Sequence, residues 1–287
     1  MQIALFEIII EKEETMKVGI IGFGSMGSMI TRKLLEHNVI EQADLVCANR
    51  TLSKMDGFKK MYTGCTVTAD NKLAAAADVV FVCIRPAELK EVLCGIAPAV
   101  SSSTLVVSLN GSVMFSQLES VLAEKTRIAK VIPSVNAEVD YSVSSVCYNQ
   151  FVTPEDRQRL ESLLESFGTV TEVAENEMGM ASELTSCMPG FIAAIFSVLA
   201  EKAQSHTNLP PAQIEAMLAQ TLEGTGKLIN QKGLSFSDVL ARVATKGGIT
   251  EVGAGEIFES FGDVAAAVFD KTLEKRKSVT EKAKQSF

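Results

Sequence analysis

Gly22-Phe23-Gly24-Ser25-Met26-Gly27 has the spacing G-x-G-x-x-G, and its setting gives the spacing meaning. The short apolar run Lys17-Val18-Gly19-Ile20-Ile21 precedes it, and Met26 to Glu36 continues with helical periodicity. In a strand-turn-helix, the first glycine allows the turn, the second lets backbone approach a pyrophosphate, and the third lets helix pack on strand. Helix N-terminal N–H groups then face the phosphates. A second strand-like run, Asp44 to Ala48, ends in Asn49-Arg50-Thr51, where an acidic residue would hydrogen-bond the ribose 2′-OH of NAD. Arg50 between two small polar neighbours suits a 2′-phosphate instead, which predicts NADP, with NAD as the other cofactor the motif admits.

A third segment, Thr245-Lys246-Gly247-Gly248-Ile249-Thr250, is a glycine-containing loop that opens a helix with a hydroxyl in its first turn. Its N–H groups and the helix dipole form an anion seat for a substrate carboxylate, and the Thr250 hydroxyl can hydrogen-bond a reacting nitrogen. A plain helix-to-helix turn explains the same two glycines. His37 and His206 both fall away from the strand carboxyl ends, which argues against a histidine-based dehydrogenase. With two histidines and no Cys/His cluster, no metal site is expected. The six cysteines (Cys47, Cys65, Cys83, Cys94, Cys147 and Cys187) contain no C-x-x-C pair and read as thiols of a reducing compartment, hence a cytoplasmic protein.

The chain must supply elements that hold these segments. At 287 residues it fits one large or two ordinary domains, and 47% hydrophobic with 22% charged residues excludes a disordered or collagen-like chain. A formal net charge of −8 disfavours a nucleic-acid binder and hinders adhesion to anionic membranes. Strand-like runs at 78–84, 105–109, 127–132, 144–148 and 169–173 alternate with helical stretches at 71–77, 88–97 and 154–167. The expectation is a Rossmann-type α/β fold, a doubly wound and mostly parallel sheet, over residues 16–174. From 175 to 287 no strand pattern remains, and helices are expected at 176–207 (kinked at Pro189), 211–231, 237–243, 249–261 and 264–285. Such an alanine-, methionine- and phenylalanine-rich helical domain predicts oligomerisation. Residues 1–15 read as an extension upstream of a true start at Met16, too short for a membrane span and without the marks of a signal peptide.

Residues 16 to about 285 resemble the pyrroline-5-carboxylate reductase family. The resemblance rests on Gly22 to Gly27, the Asn71 segment, Ile84-Arg85-Pro86, Val131-Ile132-Pro133 and Lys246 to Thr250. It implies an NAD(P) domain followed by an all-α dimerisation domain, a homodimer or decamer, and reduction of a cyclic imine to proline. Carried onto this sequence, Gly22 to Gly27 would hold pyrophosphate and Asn49 to Thr51 the adenosine 2′ end. Asn71, Cys83, Ile84, Arg85 and Pro86 would line the cofactor cleft. Gly247, Gly248 and Thr250 would form the substrate loop, with Thr250 on the ring nitrogen; Lys246, a departure from the family, adds a cation beside that anion seat and is a candidate substrate-binding residue. Lys246 in place of the family's proline, together with Ser134-Val135-Asn136 and Ser186-Cys187-Met188, resembles the divergent late-competence (ComER-like) branch. That branch keeps two alternatives open, a paralogue acting on another imine or keto acid and a non-catalytic NADP-binding regulator. A 3-hydroxyacid dehydrogenase would need a lysine on the first long helix of the second domain, and residues 183–200 contain none.

Overall fold

The computed structural model describes residues 16–287; the expectations for residues 1–15 lie outside it. The chain divides into two compact units. One runs to Ser186 and also takes in Arg276–Phe287; the other is Cys187–Lys275.

The first unit is built on eight strands: β1 (Val18–Ile21), β2 (Leu45–Ala48), β3 (Thr66–Thr68), β4 (Val79–Val82), β5 (Leu105–Ser108), β6 (Arg127–Ile132), β7 (Ser142–Tyr148) and β8 (Gly168–Glu172). They lie in the order β3-β2-β1-β4-β5-β6-β7-β8. Every pair is parallel except β6 with β7, which is antiparallel. Between them lie α1 (Ser25–Glu36), α2 (Asp56–Met61), α3 (Asn71–Ala75), α4 (Pro86–Ile96), α5 (Phe115–Glu119) and α6 (Pro154–Glu165), and α7 (Met178–Ser182) follows β8.

The central strands are apolar at nearly every position because side chains alternate between faces and both faces are covered. Val79 and Phe81 of β4 join a core with Met29, Ile30 and Leu34 of α1 and Leu160, Leu163 and Leu164 of α6. Val80 and Val82 point the other way, into a core with Ala74 and Ala75 of α3 and Leu89, Leu93 and Ile96 of α4. After β1 the chain builds outward through β2 and β3, then returns to lay β4 on the opposite side of β1. The reversal leaves a crevice at the carboxyl ends of β1 and β4, the place where open α/β sheets bind ligands.

The second unit is helical: α8 (Met188–Gln204), α9 (Pro211–Lys232), α10 (Phe236–Val243) and α11 (Ile249–Ser286), the last ending in the first unit. Two expectations need correction. The stretch 176–207 is not one kinked helix: a π-helical turn (Glu183–Cys187) separates α7 from α8, and Pro189 sits in the opening turn of α8. A proline lacks an N–H and crowds the carbonyl four residues back, and the wider turn just before it absorbs both defects. The two helices expected at 249–261 and 264–285 are one, because a glycine inside a helix costs only about 1 kcal/mol, and Gly262 with Asp263 does not break the long repeat.

Much apolar surface of this unit is open. Among the described residues, Glu175–Gln204 is the one helical stretch long and apolar enough to cross a membrane by composition, and 6% of that window is buried. Leu199, Met217, Val252 and Phe258 are likewise exposed.

Candidate functional site

Strand register brings three loops together at the crevice. Ile21 pairs with both Ala48 and Val82, so the chain leaves β1, β2 and β4 at one level. Gly22 N–H donates to the Ala48 carbonyl and Cys83 N–H to the Ile21 carbonyl, each at 2.8 Å. The cleft between these loops measures about 770 Å³. Of the residues expected from sequence, Gly22, Phe23, Gly24, Asn49, Arg50, Thr51, Asn71, Cys83, Ile84 and Arg85 line it.

The three motif glycines have three different physical reasons. Gly22 holds φ +96°, and a Cβ there would sit 2.6 Å from the Cys83 carbonyl oxygen, so only glycine fits. A Cβ on Gly27 would lie 2.0 Å from the Gly22 carbonyl oxygen; here helix α1 touches the strand turn. A Cβ on Gly24 would meet nothing within 4 Å, so the exposed side of this residue is open space. Gly24 also caps α1, with no side chain bonded to the cap and no acidic residue in the first turn. That is the cradle a pyrophosphate requires: free N–H groups of Ser25 and Met26 and room for the anion. Ser25 is exposed, Met26 packs against the core beneath, and Pro86 starts α4.

Asn49 works within the protein. Its Oδ1 accepts from Phe23 N–H at 3.1 Å and its Nδ2 donates to the Thr51 carbonyl at 2.8 Å, tying the glycine loop to the loop after β2. Arg50 and Arg85 project from opposite sides of the mouth, each largely exposed, and both approach Glu88 Oε1 at 3.6 and 3.5 Å. Cys83 lies on the floor, where burial pushes its thiol up to about 12, so it stays protonated at neutral pH. Lys54, Asp70, Lys72, Glu88 and Glu91 also line the cleft and were not anticipated. Asp70 caps α3 by accepting Lys72 N–H at 2.9 Å, and Asn110 at the end of β5 donates to the Ile84 carbonyl at 2.7 Å, fixing the β4 loop. An Asp before Asn-Lys at the start of a helical run carries the capping signal for the first; the second follows only from register.

In the second unit, Lys246 and Gly247 are exposed and Gly247 holds φ +73° at the head of α11. Gly248 N–H donates to the Thr245 carbonyl at 2.8 Å. Gly247 N–H donates to Glu251 Oε2 at 2.6 Å. Among the described residues no acceptor meets the N–H groups of Ile249 and Thr250, and the Thr250 hydroxyl is unpartnered. These donors cluster at the positive end of a 38-residue helix. No cluster of metal-ligating side chains occurs among the described residues.

Comparison with known proteins agrees with both units. Residues 17–111 match the family model "NADP oxidoreductase coenzyme F420-dependent" and residues 175–279 the model "Pyrroline-5-carboxylate reductase dimerisation". The chain is 35% identical to pyrroline-5-carboxylate reductase 3 of Bacillus subtilis over 92% of its own length and 97% of that protein's. It is 24% identical to ComE operon protein 4 of the same organism, over 95% and 99%. The structure of a pyrroline-5-carboxylate reductase from Coxiella burnetii superposes with a TM-score of 0.82 at 26% identity, covering 95% of this chain and 98% of that one. The exposed apolar helices thus belong to a domain built for association, and the cleft to an NADP-dependent oxidoreductase domain. With its nucleotide unit, its dimerisation unit and a full-length relative at this identity, the chain belongs to the pyrroline-5-carboxylate reductase family, oxidoreductases acting on a C=N group.

Proposed function

We propose that the chain reduces pyrroline-5-carboxylate to L-proline with NADPH. The observation that carries this reading is the head of α11, where, among the described residues, the N–H groups of Ile249 and Thr250 and the Thr250 hydroxyl have no partner. A cyclic imine bearing a carboxylate needs that set, donors for the carboxylate and a hydroxyl for the ring nitrogen. Gly22 to Gly27 hold the pyrophosphate. Arg50, with Asn49 and Thr51 shaping its loop, holds the 2′-phosphate. Asn71, Cys83, Ile84, Arg85 and Pro86 wall the cleft.

When bound, NADPH supplies a hydride to the imine carbon. The C=N π pair becomes the amine lone pair, and the nitrogen proton arrives with the iminium or comes from water. Thr250 orients the nitrogen, and Gly247, Gly248 and Lys246 shape the carboxylate seat. No strong acid is required, in keeping with a site without histidine. The protein works in the cytoplasm as a homodimer through its helical unit, with a decamer as the higher assembly. No disulfide joins the six cysteines among the described residues, and the helical faces are apolar, in keeping with that reading.

The test is NADPH oxidation by pyrroline-5-carboxylate, followed at the nicotinamide absorption band, with Thr250→Ala beside the wild type. Turnover lost in the variant with NADPH affinity kept is the expected result. Unchanged turnover removes Thr250 from the mechanism. NADPH binding without turnover in the wild type transfers the assignment to another imine or keto acid, or to a non-catalytic NADP-binding role.

A further inference from the structure

The substrate loop already holds an anion of its own. Glu251, in the first turn of α11, turns back and accepts the Gly247 N–H through Oε2 at 2.6 Å. Gly247 reaches this geometry in the left-handed region, φ +73°, which aims its N–H at the helix head. With the Gly248 N–H given to the Thr245 carbonyl, the Gly247 and Gly248 N–H groups are filled, and among the described residues those of Ile249, Thr250 and Glu251 remain. We propose that Glu251 is a specificity-determining residue, a built-in occupant of the carboxylate seat that an incoming substrate carboxylate must displace. The inference rests on the assignment of Lys246 to Thr250 as the substrate loop.

The physical argument is competition. Two carboxylates cannot share one N–H, and like charges this close repel in partly exposed surroundings. Glu251 therefore screens ligands: a neutral group gains too little from the helix head to dislodge it, whereas a full carboxylate gains the helix dipole and the unfilled N–H groups at the helix head. Lys246 is exposed and, among the described residues, without an ion-pair partner, so a cation stands next to the loop to receive the displaced carboxylate.

Glu251→Gln tests this, because the amide oxygen can still accept the Gly247 N–H while the charge is gone. The KM for pyrroline-5-carboxylate should fall roughly fivefold, with kcat and the KM for NADPH unchanged. An unchanged KM assigns Glu251 to helix capping alone and overturns the proposal. A raised KM, expected if the carboxylate instead favoured a cationic ring nitrogen, overturns it as well. A readout without turnover separates this inference from the substrate assignment: calorimetric titration of pyrrole-2-carboxylate, a planar five-membered-ring carboxylate, into the protein saturated with NADP+. Tighter binding by Glu251→Gln than by wild type supports the occupant even if pyrroline-5-carboxylate proves not to be the substrate. Equal affinity overturns it.

Discussion

Arg50 Nη2 lies 3.6 Å from Glu88 Oε1, an ion pair across the mouth of the nucleotide cleft. Arg85 reaches the same oxygen at 3.5 Å, so one carboxylate at the start of α4 holds two guanidinium groups. Exposed pairs of this kind contribute only about 0–1 kcal/mol each. A 2′-phosphate carries nearly two charges and offers more acceptor oxygens, so it can draw both arginines off Glu88. Arg50→Ala should therefore weaken NADPH at least about tenfold while leaving NADH within about twofold. Glu88→Gln should tighten NADPH and leave NADH unchanged. Fluorescence titration of both cofactors checks this, and equal losses for the two in Arg50→Ala would refute the 2′-phosphate role.

The glycine loop separates folding from binding. At Gly27 a Cβ would lie 2.0 Å from a backbone oxygen, and neither α1 nor the β1 turn can retreat without opening the core. Gly27→Ala should destabilise by about 3 kcal/mol or more. At Gly24 the Cβ would enter open space, so Gly24→Ala should cost no more than about 1 kcal/mol, the difference in capping. If Gly22 to Gly27 hold the pyrophosphate as proposed, that methyl group blocks its approach, so NADPH affinity should drop while urea denaturation changes little. A Gly24→Ala protein that binds NADPH normally would move the phosphates elsewhere.

What was legible in the sequence is what local periodicity and turn chemistry encode. The G-x-G-x-x-G turn, the apolar runs of β1, β2, β4 and β5, and Arg50 at a strand end all announce themselves within a few residues. β3 does not, because Thr66-Val67-Thr68 is short, half-exposed and without an apolar run; its pairing with β2 makes it a strand. The convergence of Arg50 and Arg85 on Glu88 depends on register across β2, β1 and β4. The C-terminal segment joins the first unit through Arg276, which donates to Glu183 Oε1 at 2.7 Å across 93 residues of sequence, and no local pattern reports such a pair. Glu251 carries no local signal of such a role, because a carboxylate in a helix's first turn ordinarily means only a cap.

A buried charge supports the sheet at β6. Lys130 on β6 is fully buried and donates to Glu175 Oε1 at 3.0 Å, with its ammonium also 5.4 Å from the centre of the Phe115 ring. The same oxygen accepts Phe115 N–H at 2.7 Å, so Glu175 pins α5 to β6. Removing one partner strands the other, whereas replacing the buried cation by an apolar chain of similar length removes its desolvation cost. Glu175→Ala should cost about 3–5 kcal/mol. Lys130→Met should cost far less, since Glu175 retains the Phe115 N–H and some solvent. Urea denaturation of both variants decides it, and equal losses would mean the pair contributes packing rather than charge.

Four thiols make the first unit sensitive to alkaline pH. Burial raises Cys47 and Cys83 from 9.0 to about 12, and Cys65 and Cys147 to about 11. Below about pH 8.5 these thiols are protonated in folded and unfolded chains alike, and their contribution to stability is fully present. As pH rises past that value the unfolded chain ionises first, because its thiols are solvated, so the unfolded state binds fewer protons and stability falls. The loss continues until the folded-state values near 11 to 12 are reached, at up to about 1.4 kcal/mol per thiol per pH unit. Thermal unfolding between pH 8 and 11 should show Tm declining through this window. Cys47→Ala removes one buried thiol and keeps a small apolar side chain against the core, so its Tm should decline less steeply than that of the wild type. Parallel curves for the two proteins would assign the alkaline loss to other groups.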